Sequence, residues 1–200
     1  MFYDPFQKHL DVRNAIHEYY IFENALNDRE CQNFLDFAGN EWQDSIITSF
    51  ANGKDTTKLY PKDSVRKSKI VWCNEIKLLK IAKHYADRAN SITNWQFQLD
   101  MVEPLQITKY EKNGHYDFHS DGNGFSRTVN NEKTRKLSMS IILNDDYEGG
   151  EFEFYGHKKS IKPTKGTVIV FPSYMVHRVK PVTKGIRYSV VAWFCGEPFR

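Results

Sequence analysis

Cysteine is scarce in this chain: Cys31, Cys73 and Cys195 are its three thiols, odd in number and widely spaced. A disulfide-stapled secreted scaffold is therefore excluded, and reduced thiols in a cytoplasmic setting are expected. No apolar run is long enough to span a bilayer. Met1-Phe2-Tyr3-Asp4-Pro5 has neither the basic nor the apolar region of an export signal. No membrane partner is expected. Charge of one sign is also lacking: the net value of +3 is too small to point to nucleic acid. Internal repeats and low-complexity stretches are absent. What is present is 200 residues, 40% hydrophobic and 14% aromatic, enough for one domain with a sizeable core. Nothing in the sequence reports on oligomeric state.

The pattern changes along the chain. Asn27-Asp28-Arg29-Glu30 reads as a helix start, with Asn27 capping and Glu30 answering three residues later. That helix is expected to bury Cys31, Phe34, Leu35 and Phe37. A second helix is expected from Glu75 to Ala89, where Ile76, Leu79, Ala82 and Ala86 recur at helical spacing. From Trp95 onward the reading is short strands and turns, at 95–102, 105–111, 115–121, 137–143, 151–155, 166–171, 176–180 and 187–195. Helices followed by many strands give a β-rich α+β sandwich or barrel with N-terminal helices. The organisation expected is a helical support region with the first strands at 1–94 and a β core at 95–200. Two polar stretches, Ala51 to Lys69 and Asp121 to Lys136, are expected to be loops, and functional reading as a lid competes with plain solvated insertion. Gly149-Gly150 is read as a turn needing unusual backbone angles, and Lys158-Lys159 as a solvated hairpin tip. His9, His17, His84 and His157 receive no role.

The chemistry concentrates in one pattern. His119 and Asp121 stand one residue apart, His177 follows after fifty-five residues, and Arg187 after nine more. In a strand, residues i and i+2 share a face, so one strand end is expected to deliver His119 and Asp121 to one metal. Two imidazoles and a carboxylate, with no thiolate, form the facial ligand set of non-haem Fe(II) oxygenases, though Zn(II) accepts such donors too. His115 and Asp117 spell the same pair and act as a decoy. Arg187 opens a β-prone run, Arg187-Tyr188-Ser189-Val190-Val191-Ala192-Trp193-Phe194. A buried arginine there needs a partner, and a small diacid supplies one through paired hydrogen bonds. An exposed arginine at a strand edge is the competing reading.

With these residues in place, the chain resembles the 2-oxoglutarate- and Fe(II)-dependent oxygenases, in their prolyl 4-hydroxylase-like branch, from about Trp95 to Phe194. The resemblance runs through Tyr110-Glu111-Lys112-Asn113-Gly114-His115-Tyr116-Asp117-Phe118-His119-Ser120-Asp121, through Leu137 to Asn144, and through Tyr147-Glu148-Gly149-Gly150-Glu151-Phe152. It continues in Lys165 to Pro172 and in His177 to Ser189. It selects His119 over His115. It implies a double-stranded β-helix (jelly roll) with the helices packed on one sheet. It implies iron at His119, Asp121 and His177, 2-oxoglutarate held at Arg187 and Tyr110, and Trp193 as an aromatic near the site. It further implies O2 as oxidant, ascorbate as an accessory, and a protein or peptide substrate hydroxylated on proline. Arg187 where some relatives carry lysine places the chain nearer the oxygen-sensing or bacterial type. Asp121 disfavours the halogenase variant. Trp193 stands where the nucleic-acid demethylase branch carries a second arginine, and Ile142 where some relatives carry a tyrosine. Alternatives stay open: the same chemistry on a free amino acid, another side chain or a small molecule; a metal-retaining binding module; and a zinc hydrolase, against which Arg187 argues because a hydrolase needs no diacid clamp.

Overall fold

In the computed structural model, residues 17–45, 50–51, 54–55, 65–122 and 133–198 are described, with backbone alone at 50–51 and 54–55. Most of the two long polar stretches therefore lies outside the described residues, and with it the lid reading; His9 lies there too. In chain order the strands are β1 (Tyr20–Phe22), β2 (Gln43–Asp44), β3 (Phe50–Ala51), β4 (Lys54–Asp55), β5 (Arg66–Lys67), β6 (Lys69–Cys73), β7 (Met101–Val102) and β8 (Leu105–Tyr110). Then come β9 (His115–His119), β10 (Thr134–Ile142), β11 (Glu148–Gly149), β12 (Phe152–Phe154), β13 (Val168–Pro172), β14 (His177–Val179), β15 (Val182–Lys184) and β16 (Arg187–Gly196). Among the described residues the named helices are α1 (Asp28–Ala38) and α2 (Ile76–Ile92).

A large antiparallel sheet has the order β1-β13-β10-β16-β8-β6-β2, with β7 paired to β16. A smaller one has the order β12-β14-β9-β5. The two face each other as the leaves of a jelly roll, and both helices pack on the large sheet. Alternation divides β10 and β16 between two cores. Leu137, Met139, Ile141, Val190, Ala192 and Phe194 face the helices, while Phe171, Phe152, Tyr110 and Val179 fill the space between the sheets. No helix among the described residues is long and apolar enough to cross a membrane.

The helix starts follow the sequence closely. Asn27 accepts from the Glu30 N–H at 3.0 Å and Glu30 answers the Asn27 N–H at 2.9 Å, which satisfies two otherwise orphaned donors. Three expectations need correction. Phe37 is 42% exposed, because the buried stripe is Cys31, Phe34 and Ala38, with Leu35 half-buried, and Phe37 falls about 100° off it. Ile76 is 65% exposed, opposite the buried Leu78, Ala82, Ala86 and Ala89, and α2 runs on to Ile92. The strand expected at 95–102 shrinks to Met101–Val102. Asn94 and Gln96 take left-handed backbone angles, φ 57° and 56°, and Asn90 holds the Phe97 backbone through both N–H and C=O, at 3.0 and 2.8 Å, so the stretch bends where a strand runs straight.

Candidate metal and diacid site

Strand β9 carries His119 and strand β14 carries His177, and the two are register partners in the small sheet. Asp121 does not come from the strand as expected: β9 stops at His119. A turn brings the carboxylate back, pinned by the Gly122 N–H on the Ser173 carbonyl at 2.9 Å and by the Ser120 hydroxyl on the Gly122 carbonyl at 2.9 Å. The outcome is the expected convergence by another route. Asp121 Oδ1 lies 3.6 Å from His119 Nε2, and Oδ2 lies 3.7 Å from His177 Nε2. One donor atom from each residue falls within 4.8 Å of the other two, which suits a single bound ion.

The surroundings fix how those donors present themselves. His119 Nδ1 donates to the Asp117 carbonyl at 2.8 Å and His177 Nδ1 to the Met175 carbonyl at 3.0 Å. A carbonyl can only accept, so each Nδ1 carries the proton and each Nε2 keeps its lone pair for a metal. Tyr116 stacks on the His119 ring, with centroids 3.4 Å apart, and Phe152 stacks on His177 at 5.3 Å. Burial pushes the His177 pKa down to about 4, against the pull of Asp121, so the imidazole is neutral near pH 7. Burial resists the charge on Asp121, but the neighbouring His177, His119 and Arg135 outweigh it and hold the carboxyl well below the ordinary carboxylate range. Asp121 Oδ2 is buried with no hydrogen-bond partner. A deprotonated, unsatisfied carboxylate oxygen facing two imidazole lone pairs is costly unless a cation lies among them, so the residues fit a divalent metal.

Ten residues past His177, Arg187 begins β16 opposite Tyr110 on β8. Its side chain is fully buried, among the largest such groups in the protein. Nη1 donates to the Ser189 hydroxyl at 2.8 Å, and the guanidinium carbon lies 5.5 Å from the Tyr110 ring centre. Nε and Nη2 have no partner. No carboxylate of the chain pairs with this cation among the described residues. Two inward donors on a planar fork match a carboxylate brought from outside, so the residues fit a diacid as well.

The decoy pair separates. His115 Nδ1 engages the Asn113 carbonyl and Asp117 Oδ1 accepts from the Phe118 N–H; neither joins the cluster. Trp193 is 6% exposed, and the Arg135 guanidinium carbon lies over its ring, 3.9 Å from the centre. Arg135 also grips Glu103 with two hydrogen bonds, at 2.8 and 2.6 Å, and reaches the Asp121 carbonyl at 3.4 Å. Sequence reading missed Arg135 because it began this strand at Leu137. β10 in fact starts at Thr134, across a register shift between Arg135 and Leu137 that breaks the alternation.

Comparison with known proteins agrees with this geometry. The family profile described as the 2OG-Fe(II) oxygenase superfamily matches residues 105–195. A PKHD-type hydroxylase of Xylella fastidiosa (strain M12) is 37% identical over 100 residues, covering 45% of this chain and 43% of that protein. The chain thus spans less than half the length of that relative in the match. Among solved structures, the viral collagen prolyl hydroxylase of Paramecium Bursaria Chlorella virus-1, in complex with 2OG, superposes with a TM-score of 0.68 at 20% identity, over 90% of this chain and 97% of that one. A Trichoplax adhaerens prolyl hydroxylase, in complex with a hypoxia inducible factor oxygen degradation domain peptide fragment, superposes with a TM-score of 0.63 at 17% identity, over 96% and 93%. At those identities the likeness is one of fold.

Proposed function

We propose that the chain is a member of the 2OG-Fe(II) oxygenase superfamily, in its prolyl 4-hydroxylase-like branch, and that it is a 2-oxoglutarate- and Fe(II)-dependent dioxygenase that hydroxylates prolyl residues in a protein or peptide. The observation that carries this reading is the pairing of a His119–Asp121–His177 donor cluster with a fully buried Arg187 whose Nε and Nη2 have no partner. The cluster alone would also suit a zinc hydrolase; the buried guanidinium beside it would not.

In this reading Nε2 of His119, Nε2 of His177 and the Asp121 carboxylate hold iron. Arg187 holds the distal carboxylate of 2-oxoglutarate, with the Tyr110 ring beside its guanidinium. When bound, the iron and its keto-acid cosubstrate supply the activation of O2 and the transfer of one oxygen atom to the substrate. The chain supplies position and exclusion. Asp117 and Met175 carbonyls keep both imidazoles turned to the ion, and Phe152 and Phe171 pack against His177 and keep water from its buried side. The Trp193–Arg135 pair forms an aromatic and cationic wall close to Asp121, suited to an apolar ring flanked by peptide carbonyls. Residues 95–200 form the catalytic core in this reading, and the helices before them support the large sheet. Support for a peptide comes from the complex formed by the Trichoplax relative; a free amino acid or small molecule is the competing substrate.

Purified protein supplied with Fe(II), 2-oxoglutarate and ascorbate should form succinate, and candidate peptides incubated with it should gain one oxygen on proline by mass spectrometry. Asp121→Ala should abolish succinate formation; turnover at the parent rate would remove Asp121 from the ligand set. Arg187→Ala should raise the 2-oxoglutarate requirement by roughly thirtyfold or more, as expected for losing one partner of a buried charge pair. An unchanged KM for 2-oxoglutarate would dismiss that residue from the role.

A further inference from the structure

A concave feature lies at a seam between the two sheets, lined by none of the three candidate metal ligands. Two crossings run side by side there. The chain leaves β5 in the small sheet and enters β6 in the large one through Ser68. It leaves β8 in the large sheet and enters β9 in the small one through the turn 111–114. The space they enclose with the end of β2 is about 270 Å³, lined by Asp44, Ser45 and residues 66–69, with Lys109, Glu111, Lys112 and Gly114 opposite. A volume of that order holds a small metabolite or part of one.

Its charge is lopsided, with five cationic side chains against two carboxylates. Glu111 is already shared by Lys109 at 3.0 Å and Lys69 at 3.6 Å. Arg66 donates Nε to Ser68 and Nη2 to Gln106, at 3.0 and 2.6 Å, and lies over the Tyr116 ring. Lys67 and Lys112 are exposed and have no carboxylate partner among the described residues. A chain of hydroxyls adds direction. Arg66 Nε donates to Ser68 Oγ, and Ser68 Oγ donates to Ser45 Oγ at 3.0 Å. Ser45 is 1% exposed, and its own hydroxyl proton meets no acceptor among the described residues. A buried donor at the end of a relay, facing a cavity, calls for an acceptor there.

We propose that this cavity binds a phosphate group carried on a small molecule. Phosphate is favoured over carboxylate by the kind of cation offered. The planar fork that grips a carboxylate in two parallel bonds is spent on Ser68 and Gln106, and what remains are ammonium point charges and a hydroxyl. Arg187 is the opposite case, a free fork for a carboxylate, so the two sites read different anions.

The test uses the metal-free 200-residue chain at constant ionic strength in chloride, with inorganic phosphate as the probe, followed by isothermal titration and phosphorus NMR line width. Saturable one-to-one binding is expected, with sulfate competing and acetate not. The double variant Lys67→Ala/Lys112→Ala should weaken it on the order of tenfold, the sum of two partly screened charges. Both positions are exposed, so the fold should tolerate the changes. Lys158→Ala/Lys159→Ala, the same charge change at a distant tip, should leave binding as it was. Absence of saturation, equal weakening by both double variants, or competition by acetate as strong as by sulfate would each overturn the proposal. Succinate formation is not read in this experiment, so its outcome leaves the oxygenase reading untouched.

Discussion

Gly150 shows how little room surrounds the diacid clamp. Its φ is +65°, and a Cβ there would stand 3.0 Å from Arg187 Cδ, 3.1 Å from Val182 Cγ2 and 3.2 Å from Tyr147 Cε2. Gly149 beside it has φ +75°, and a Cβ on it would strike the Pro181 carbonyl oxygen at 2.4 Å. The unusual backbone angles expected from sequence are there, but Gly149 ends strand β11 at a register shift and does not form a turn; that the second glycine also makes space for the Arg187 stem was not visible, because the contact spans thirty-seven positions. Gly150→Ala should cost about 1–3 kcal/mol of stability through backbone strain and crowding. It should also raise the KM for 2-oxoglutarate more than it lowers kcat. Thermal unfolding and a cosubstrate titration check both, and a variant with normal stability and normal KM would show that the neighbours yield freely. His119, Asp121, His177 and Arg187 stood out as a combination, but the resemblance and not the spacing set His119 apart from His115, which spells the same pair. Arg135 did not stand out, because a lone arginine in a mixed-charge stretch carries no signal until Trp193 and Glu103 are seen around it.

Secondary elements were legible where local chemistry decides them. The reciprocal Asn27–Glu30 cap is a purely local device, so it could be read directly. Asn27→Ala should lower stability by about 1 kcal/mol and the melting temperature by roughly 2–4 °C for a chain of this size; a shift under half a degree would mean α1 is held by packing alone. The segment 95–102 failed for the complementary reason. Its apolar residues suit a strand, yet the left-handed turns at Asn94 and Gln96 and the tether from Asn90 to Phe97 are tertiary choices that periodicity does not report. The Asp121 turn belongs to the same class. Its anchor on the Ser173 carbonyl lies on another strand's connection, so sequence could place the carboxylate near His119 but not say how it gets there.

Across the whole molecule, acid and metal should act on the same balance. The folded protein holds His177 at a pKa of about 4, against 6.5 for an ordinary histidine. Between those values the unfolded chain binds the extra proton and the folded one does not, so stability falls as pH drops from about 6.5 towards 4. Asp121 is depressed in the folded state, so its contribution is present above the ordinary carboxylate range and is lost further down, in a lower window. Metal-free protein should therefore melt on the order of 5 °C lower at pH 4.5 than at pH 7. His177→Gln should flatten that slope, and an unaltered slope would assign it to other groups. Added Co(II), as a redox-stable stand-in, should raise the melting temperature at pH 7, since the folded cluster binds it and the unfolded chain does not hold the three donors together.

The two leaves of the roll are unequal. Both described helices brace the large sheet, whereas β12, β14 and β5 are only two or three residues long. Both imidazoles ride on that thinner leaf, so an ion held there would do more than chemistry: it would rivet short strands to the turn after His119. Amide hydrogens of β9 and β14 should exchange with deuterium faster than those of β10 and β16 in the metal-free protein, and loading with Co(II) should slow the first pair while leaving the second pair nearly as they were.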